Sequence, residues 1–258
     1  MTEEELRARF VKPAFPRSAR YDPRWALDTL MGPNVLWLAE YLSQAVELKA
    51  GMRVLDLGCG KAASSIFLAK EFGVTIWAAD LWIAPTDNLA RIRTAGVEEH
   101  VFPLYAEAHA LPLPRGYFDA IVSLDAYHYF GTDDLYLGYV SRFLKPGGVL
   151  GIVSPGVREE IATVPKALAP YWEPDFCSFH SPAWWRRHWE KTTLVDILIA
   201  DFMPDGGKLW HDWDRLCADA GAEVLPGAAA REAEMLEKDK DKDKDGLLGF
   251  VRAVARRR

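Results

Sequence analysis

Two chemical features, a glycine-rich turn and an isolated carboxylate, occur close together in the first half of the sequence. The apolar run "VLDL" ends at Gly58, Cys59 and Gly60, and the run "IWAA" ends at Asp80, 20 residues past Gly60. A glycine turn between a strand and a helix lets backbone N–H groups approach a ligand, and a carboxylate ending the next strand can accept hydrogen bonds from ribose hydroxyls. These features predict a nucleoside-containing cofactor at the carboxyl edge of a sheet.

Two other acidic residues help to distinguish between cofactors. Asp56 precedes the first glycine by two residues, and Glu107 follows a third apolar run. A carboxylate repels a pyrophosphate but attracts an ammonium or a sulfonium, and Glu107 is placed to accept a hydrogen bond from an adenine amino group. A dinucleotide site stays open as an alternative, because residues 58–63 followed by an acid also fit the GxGxxG/A pattern.

Four segments of the sequence, taken in register, resemble the motifs of class I S-adenosylmethionine-dependent methyltransferases. They are residues 56–60, Asp80, "LPLPRGYFDAIVS" and "LKPGG", all within residues 50–155. The resemblance is to the small-molecule branch of ubiquinone-methyltransferase-like and cyclopropane-fatty-acid-synthase-like enzymes. It implies a doubly wound α/β fold with a mostly parallel seven-stranded sheet and an antiparallel last strand. It also implies S-adenosylmethionine as the cofactor and in-line methyl transfer to a small-molecule acceptor.

Carried over position by position, the resemblance implies contacts for each part of the cofactor. The glycine turn would lie against the methionine part, and Asp56 would orient the methionine ammonium directly or through water, with Asp125 as a further contact. Asp80 would hold the ribose, an apolar side chain after it would lie against the adenine, and Glu107 with the next backbone amide would hold the adenine edge. The predicted cofactor-binding residues are therefore Asp56, Gly58, Cys59, Gly60, Asp80, Leu81, Trp82, Glu107, Ala108 and Asp125.

The segment "SLDAYHYF", at the exit of the fourth predicted strand, contains the first candidate for acting on the acceptor. The resemblance places a histidine where His128 stands, and imidazole titrates near neutrality, so His128 is predicted to be a base or an acceptor orienter. The alternative is a structural histidine bonded to a backbone carbonyl. One flanking tyrosine is expected to line the pocket and the other to pack under the next helix. The predicted acceptor-binding residues are Tyr21, Trp25, Tyr127, Tyr129 and His180.

Metal ligation and an aromatic cage are weaker interpretations. Cys177 and His180 lie three residues apart but lack further ligands, so no metal site is predicted. The run "EKDKDKDKDG" at 237–246 matches the opening of a calcium loop, but Arg252 stands where a bidentate glutamate is required. Ten tryptophans are present. Aromatic rings can cage a quaternary ammonium, but the helical spacing within "AWWRRHWEKT" favours packing in a core or a lid.

Apolar runs alternate with helical patterns through the middle of the chain and predict an open, doubly wound sheet. The predicted strands are 53–57, 74–79, 101–105, 118–124 and 148–154, and the helices between them are 62–72, 86–95 and 133–144. Outside this core, helices are predicted at 25–30, 33–48, 183–192 and 208–220, and strands at 194–202 and 247–255. Residues 1–20 are expected to form a loose arm and 221–246 to be irregular.

Three parts are expected along the 258 residues. They are an N-terminal arm and helical lid (1–50), a cofactor-binding core (51–154), and an aromatic-rich cap with the last two strands (155–258). The net charge of −6 argues against a nucleic-acid partner. The odd number of cysteines, the charged N-terminus and the lack of an apolar run of about 20 residues favour a cytoplasmic chain without a membrane span. The acceptor and the oligomeric state are left open. The alternative functions are a non-catalytic cofactor-binding scaffold and an NAD(P)-dependent oxidoreductase.

Overall fold

A central seven-stranded sheet organises the computed structural model, which describes residues 1–239 and 246–258. The strands are β1 Arg53–Leu57, β2 Thr75–Asp80, β3 Val101–Tyr105, β4 Phe118–Leu124, β5 Leu144–Val157, β6 Val195–Phe202 and β7 Leu248–Arg257. Their order across the sheet is β3-β2-β1-β4-β5-β7-β6. β7 runs antiparallel to both of its neighbours, while the other pairs are parallel. The predicted doubly wound sheet with an antiparallel last strand is confirmed.

Helices cover both faces of this sheet. They are α1 Glu3–Phe10, α2 Pro23–Asp28, α3 Val35–Ser43, α4 Ala63–Phe72, α5 Pro85–Thr94, α6 Tyr136–Val140, α7 Pro182–Glu190, α8 Gly206–Ala220 and α9 Ala228–Lys238. Successive strand residues point to opposite faces, so Val54 packs in the core that contains α3 and α4, and Leu55 in the core that contains α6 and α7. Because β1 to β4 are parallel, the connections that leave their carboxyl ends meet at one edge of the sheet, where open α/β sheets bind ligands.

The N-terminal residues form a docked helix, so the expectation of a loose arm over 1–20 was wrong. The Thr2 hydroxyl accepts from the backbone N–H of Glu5, and the Glu5 carboxylate accepts from the N–H of Thr2 at 2.7 Å. This capping box begins α1, and Leu6 and Phe10 on one face of the helix are buried. Phe10 lies against Trp213 of α8, with ring centroids 6.4 Å apart. In the sequence, the apolar residues Leu6 and Phe10, spaced at i and i+4, indicate this helix.

Two other segments differ from the sequence-based expectation. Helix α9 occupies part of the stretch expected to be irregular, because its residues Met235 and Leu236 are buried in the same core as residues of α8. The predicted helix at 133–144 is reduced to α6, a 3₁₀ turn at Ser141–Phe143 and the start of β5. The candidate calcium loop falls largely on 240–245, outside the described residues. None of the helices in the described part of the chain has the length and apolar character of a membrane-spanning segment.

Candidate active site

A cavity of about 340 Å³ opens where β1, β2, β3 and β4 end. The turn after β1, the end of β2 and the segments after β3 and β4 line it. The wall contributed by the N-terminal region is residues 29–36, which we call the closing segment, and Trp213 of α8 completes the lining. The closing segment lies within the expected N-terminal lid (1–50), but neither its residues nor Trp213 were among the predicted site residues. In the sequence, Asn34 could have indicated this segment as the start of a helix. Its side chain caps α3 by accepting from two backbone N–H groups.

The glycine turn lines the cavity through backbone that only glycine accommodates easily. Gly58 and Gly60 have φ angles of +76° and +53°. A Cβ at Gly58 would overlap the Cβ of Ala126 after β4, and a Cβ at Gly60 would lie 2.9 Å from Cγ of Met31 in the closing segment. Cys59, between them, is buried but also lines the cavity. The absence of side chains at the two glycines therefore lets β4 and the closing segment approach the turn.

Asp80 connects the end of β2 to the glycine turn. One carboxylate oxygen accepts from the N–H of Gly60 at 2.8 Å, and the other accepts from the N–H groups of Trp82 and Ile83 at 2.8 and 2.9 Å. A carboxylate has about four acceptor positions, so these three bonds leave capacity for a ligand hydroxyl. Asp80 lines the cavity together with Leu81 and Trp82. Trp82 is 74% exposed at the cavity mouth.

Glu107 and Ala108 also line the cavity, at the end of β3. The Glu107 carboxylate accepts from the N–H of His109 at 2.8 Å and lies 2.8 Å from Nδ1 of the same imidazole. These bonds hold the pKa of Glu107 below its usual value. His109, which sequence reasoning missed, packs against Tyr136 at 5.0 Å and lines the cavity. The structure thus presents an ionised, oriented carboxylate at this position.

Asp56 is fully buried and does not line the cavity, so of the two expected modes of orienting the ammonium, directly or through water, its position does not favour the direct one. One of its oxygens accepts from the hydroxyls of Ser64 and Ser65, at 2.6 Å each. Its other oxygen, Oδ1, has no hydrogen-bond partner among the described residues. Burial raises the pKa of Asp56 to about 6. The carboxylate therefore supports the first turn of α4 beneath the glycine turn.

Asp125, the first residue after β4, does line the cavity. It adopts the left-handed conformation with φ of +56°, which is uncommon outside glycine and typical of functional sites. Its carboxylate touches the closing segment, because Oδ2 lies 2.5 Å from where a Cβ on Gly32 would stand. Burial raises the pKa of Asp125 well above its usual value.

His128 and Tyr127 lie behind the cavity, and neither lines it. His128 is 2% exposed, and its Nδ1 has no hydrogen-bond partner among the described residues. Burial lowers its pKa to about 3, so the imidazole is neutral and weakly basic near pH 7. This placement does not support His128 as the base. Tyr127 is fully buried against Trp185 and Trp189, so its assignment as an acceptor contact was wrong. Tyr129 lines the cavity.

The other predicted acceptor residues also lie outside the cavity. Tyr21 packs on Trp25 at 5.6 Å, and its hydroxyl donates to Glu71 on the outer side of α4 at 3.2 Å. The His180 ring stacks on Trp184 at 3.6 Å, and its Nδ1 lies 3.2 Å from a Glu160 oxygen. Tyr21, Trp25 and His180, which were predicted to bind the acceptor, therefore do not line this cavity. Within 1–239 and 246–258, no group of three or more His, Cys, Asp or Glu residues is arranged to hold a metal ion.

Comparison with known proteins gives evidence on the family of this chain in addition to the strand order and the cavity. Residues 54–148 match the family described as "Methyltransferase domain". This match supports the resemblance to class I S-adenosylmethionine-dependent methyltransferases, and the matched region is a methyltransferase domain. This methyltransferase domain contains the glycine turn and the ends of β2, β3 and β4, so the matched residues include most of the cavity lining.

The chain resembles relatives whose printed names give different acceptors. It is 31% identical over 121 residues to a fatty-acid O-methyltransferase from Mycolicibacterium smegmatis, covering 46% of this chain and 43% of that protein. It is 29% identical over 208 residues to a ubiquinone/menaquinone biosynthesis C-methyltransferase from Bordetella avium, covering 71% of this chain and 75% of that protein.

A solved structure, phosphoethanolamine N-methyltransferase 2 of Haemonchus contortus with S-adenosylmethionine, has the same fold. The two superpose with a TM-score of 0.72 at 18% identity, over 98% of this chain and 60% of that chain. The chain spans less than half the length of the first curated relatives it matches, at 47%, 43% and 43%.

Proposed function

We propose that this chain transfers the methyl group of S-adenosylmethionine to a small-molecule acceptor. The observation that carries the proposal is that the glycine turn, Asp80, Glu107 and Asp125 leave four strand ends and line one cavity. The strand order 3-2-1-4-5-7-6 with an antiparallel β7 also differs from the 3-2-1-4-5-6 order of dinucleotide-binding folds. These features favour a methyl donor over a nicotinamide cofactor.

The cavity residues fit each part of the donor. The free acceptor capacity of Asp80 suits the ribose hydroxyls, and the ionised Glu107 with the amide of Ala108 suits the adenine edge. Leu81 and Trp82 would lie against the adenine ring. The backbone of Gly58, Cys59 and Gly60 would lie against the methionine part, and the partly buried carboxylate of Asp125, which lines the cavity, suits its ammonium.

Bound in this way, the donor supplies a methyl group activated by a sulfonium. The acceptor's lone pair would form the new bond to that carbon. The carbon–sulfur bond would break at the same time, and the electron pair of that bond would stay on sulfur. The chain's own contribution is alignment and exclusion of water, for which the closing segment and Trp213 cover the cavity opposite the glycine turn. His128 has no part in this proposal, because it lies outside the cavity with a lowered pKa.

The relatives indicate that the acceptor is a small molecule and do not define its class further. Their printed names include O-, C- and N-methyltransferases, so the methylated atom is not common to them. The described cysteines are unpaired, which supports a reducing compartment, and we place the reaction in the cytoplasm.

The test is donor binding followed by transfer. Calorimetry should show binding of S-adenosylhomocysteine and little or none of NADH, and the reverse preference would favour an oxidoreductase. Incubation with isotopically labelled S-adenosylmethionine and a small-molecule cell extract should then transfer label to an extract component. Tight S-adenosylhomocysteine binding without transfer to any component would favour a non-catalytic scaffold.

A further inference from the structure

One side chain in the cavity lining carries a positive charge that the chain itself leaves unpaired. Lys61 directly follows the glycine turn, just before α4 begins. It is half-buried and lines the cavity, where its Nζ donates to the backbone carbonyl of Asp28 at 3.2 Å. It forms no ion pair with a carboxylate among the described residues. A lysine ammonium has several N–H donors, so the bond to Asp28 leaves donor capacity for a ligand.

Lys61 differs in charge from the other residues of the cavity. It is the only lysine or arginine among the described residues that line it. Asp80, Glu107 and Asp125 are acids, and the imidazole of His109 is already bonded to Glu107 at the end of β3. Within the described part of the chain, an anionic group bound in this cavity therefore finds its cationic partner at Lys61.

A second cationic side chain lies close to the same end of the cavity without lining it. Arg91 of α5 donates to Oδ1 of Asn88 at 3.0 Å, and Nδ2 of Asn88 donates to the carbonyl of Gly60 at 2.9 Å. Burial and then the charge of Arg91 lower the pKa of Lys61, whereas the charge of Asp28 raises it. An anion bound beside the glycine turn would stabilise both cationic groups.

The proposed donor carries an anionic group that still lacks a partner. The methionine part of S-adenosylmethionine has an ammonium and a carboxylate on the same carbon. The proposed function places this part against the glycine turn and its ammonium at Asp125, and Lys61 is the next residue after that turn. An unpaired lysine ammonium at this end would repel the sulfonium, and pairing with the donor's carboxylate would offset that repulsion.

We propose that the ammonium of Lys61 binds the carboxylate of the donor's methionine part. This inference rests on the proposed function and adds a donor-binding residue to the same site. Because the same ammonium holds the carbonyl of Asp28, immediately before the closing segment, it connects the bound donor to that segment. The chain should therefore select ligands that carry the carboxylate over decarboxylated ones.

The first experiment compares two ligands that differ only in this carboxylate. Calorimetry measures the binding of S-adenosylhomocysteine to the full chain, and the binding of its decarboxylated analogue, in which a hydrogen replaces the carboxylate. S-adenosylhomocysteine should bind about ten- to a hundredfold more tightly, as expected for a hydrogen bond between charged groups. Equal binding of the two ligands overturns this inference and leaves the proposed function intact. No binding of either ligand overturns both.

The second experiment tests whether Lys61 causes the preference. Lys61→Met keeps an unbranched side chain without the charge, and Lys61→Gln also keeps an N–H donor for the carbonyl of Asp28. Both variants should bind S-adenosylhomocysteine about ten- to a hundredfold more weakly than the parent. Their affinity for the decarboxylated analogue should stay within about twofold of the parent's, which also shows that they fold. Lys70→Met, exposed in the last turn of α4, is the matched control and should keep the parent's preference.

Two kinds of result overturn the assignment. An unchanged preference in both Lys61 variants would mean that another group, such as the backbone N–H groups of the glycine turn, holds the carboxylate. Equal weakening of both ligands, or failure of both variants to fold, would mean that Lys61 has a structural role through its bond to Asp28.

Discussion

At the scale of single residues, Asp80 has two roles that a substitution should reveal together. Its carboxylate accepts from three backbone N–H groups, one of them in the glycine turn, and it also lines the cavity. Asp80→Asn keeps the size of the side chain but replaces one acceptor oxygen by a donor. Charge-assisted hydrogen bonds contribute about 1.5–3 kcal/mol, so S-adenosylhomocysteine should bind about ten- to a hundredfold more weakly by calorimetry. Asp87→Asn, exposed on α5, should bind normally; equal affinities in both variants contradict the assignment.

Asp56 should make the stability of the protein depend on pH. Its folded pKa of about 6 lies above the ordinary value of 3.8, so between these pH values the folded state holds a proton that the unfolded state has lost. The free energy of unfolding therefore falls as pH rises through this window, by on the order of 3 kcal/mol in total. Asp56→Asn removes this contribution. Denaturant unfolding of parent and variant at pH 4 to 7 should show that the free energy of unfolding of the variant rises relative to that of the parent as pH rises. A difference that does not change with pH contradicts this role.

The residues that sequence reasoning placed well are those that end strands. Asp80 and Glu107 follow from the periodicity of β2 and β3, because parallel strands bring their carboxyl ends together. His128 and Tyr127 were misplaced because they lie in a 3₁₀ turn. In such a turn, a shift of one position along the chain changes which side chain faces the cavity. Trp213 lines the cavity only because α8 packs on the closing segment. No local pattern carries that contact.

At the scale of elements, helix α1 is held by its buried face rather than by length. With eight residues it is too short to be stable alone, and Phe10 is fully buried against Trp37 and Trp213. Phe10→Ala should lower the free energy of unfolding by about 3–5 kcal/mol in denaturant titration. Val11→Ala, at the exposed neighbouring position, should change it by at most about 0.5 kcal/mol. Similar effects from the two variants would show that α1 is not packed as described.

The elements that sequence analysis missed share a physical reason. Helices α1 and α9 are short and rich in charged residues, so their composition favours exposed structure, and only a few apolar positions mark the buried face. The central strands are nearly continuous apolar runs, which is why the bounds of β1 to β4 were predicted closely, whereas β5 runs from Leu144 to Val157 and exceeds the predicted 148–154 at both ends. Elements at the margin of the core depend on partners distant in sequence, such as α1 on α8, and a single sequence does not indicate that pairing.

At the scale of the whole molecule, the closing segment joins the N-terminal region to the core across the cavity. Met31 approaches Gly60, Gly32 touches Asp125 and accepts from Trp213, and Lys61 after the glycine turn donates to the carbonyl of Asp28 at 3.2 Å. A donor between these parts would contact both sides. Binding to the folded state alone would therefore stabilise the domain and the closing segment at the same time.

Closure of the segment over the donor predicts two linked responses to S-adenosylhomocysteine. At about one hundred times its dissociation constant, the ligand should stabilise the fold by about 2.7 kcal/mol and raise the melting temperature by about 5–10 °C. It should also slow limited proteolysis within residues 29–36, because cleavage requires local opening of that segment. Cleavage around residues 223–227 serves as the control, because this connection between α8 and α9 is exposed and does not line the cavity. A higher melting temperature with unchanged cleavage in 29–36 would mean that the donor binds without engaging the closing segment.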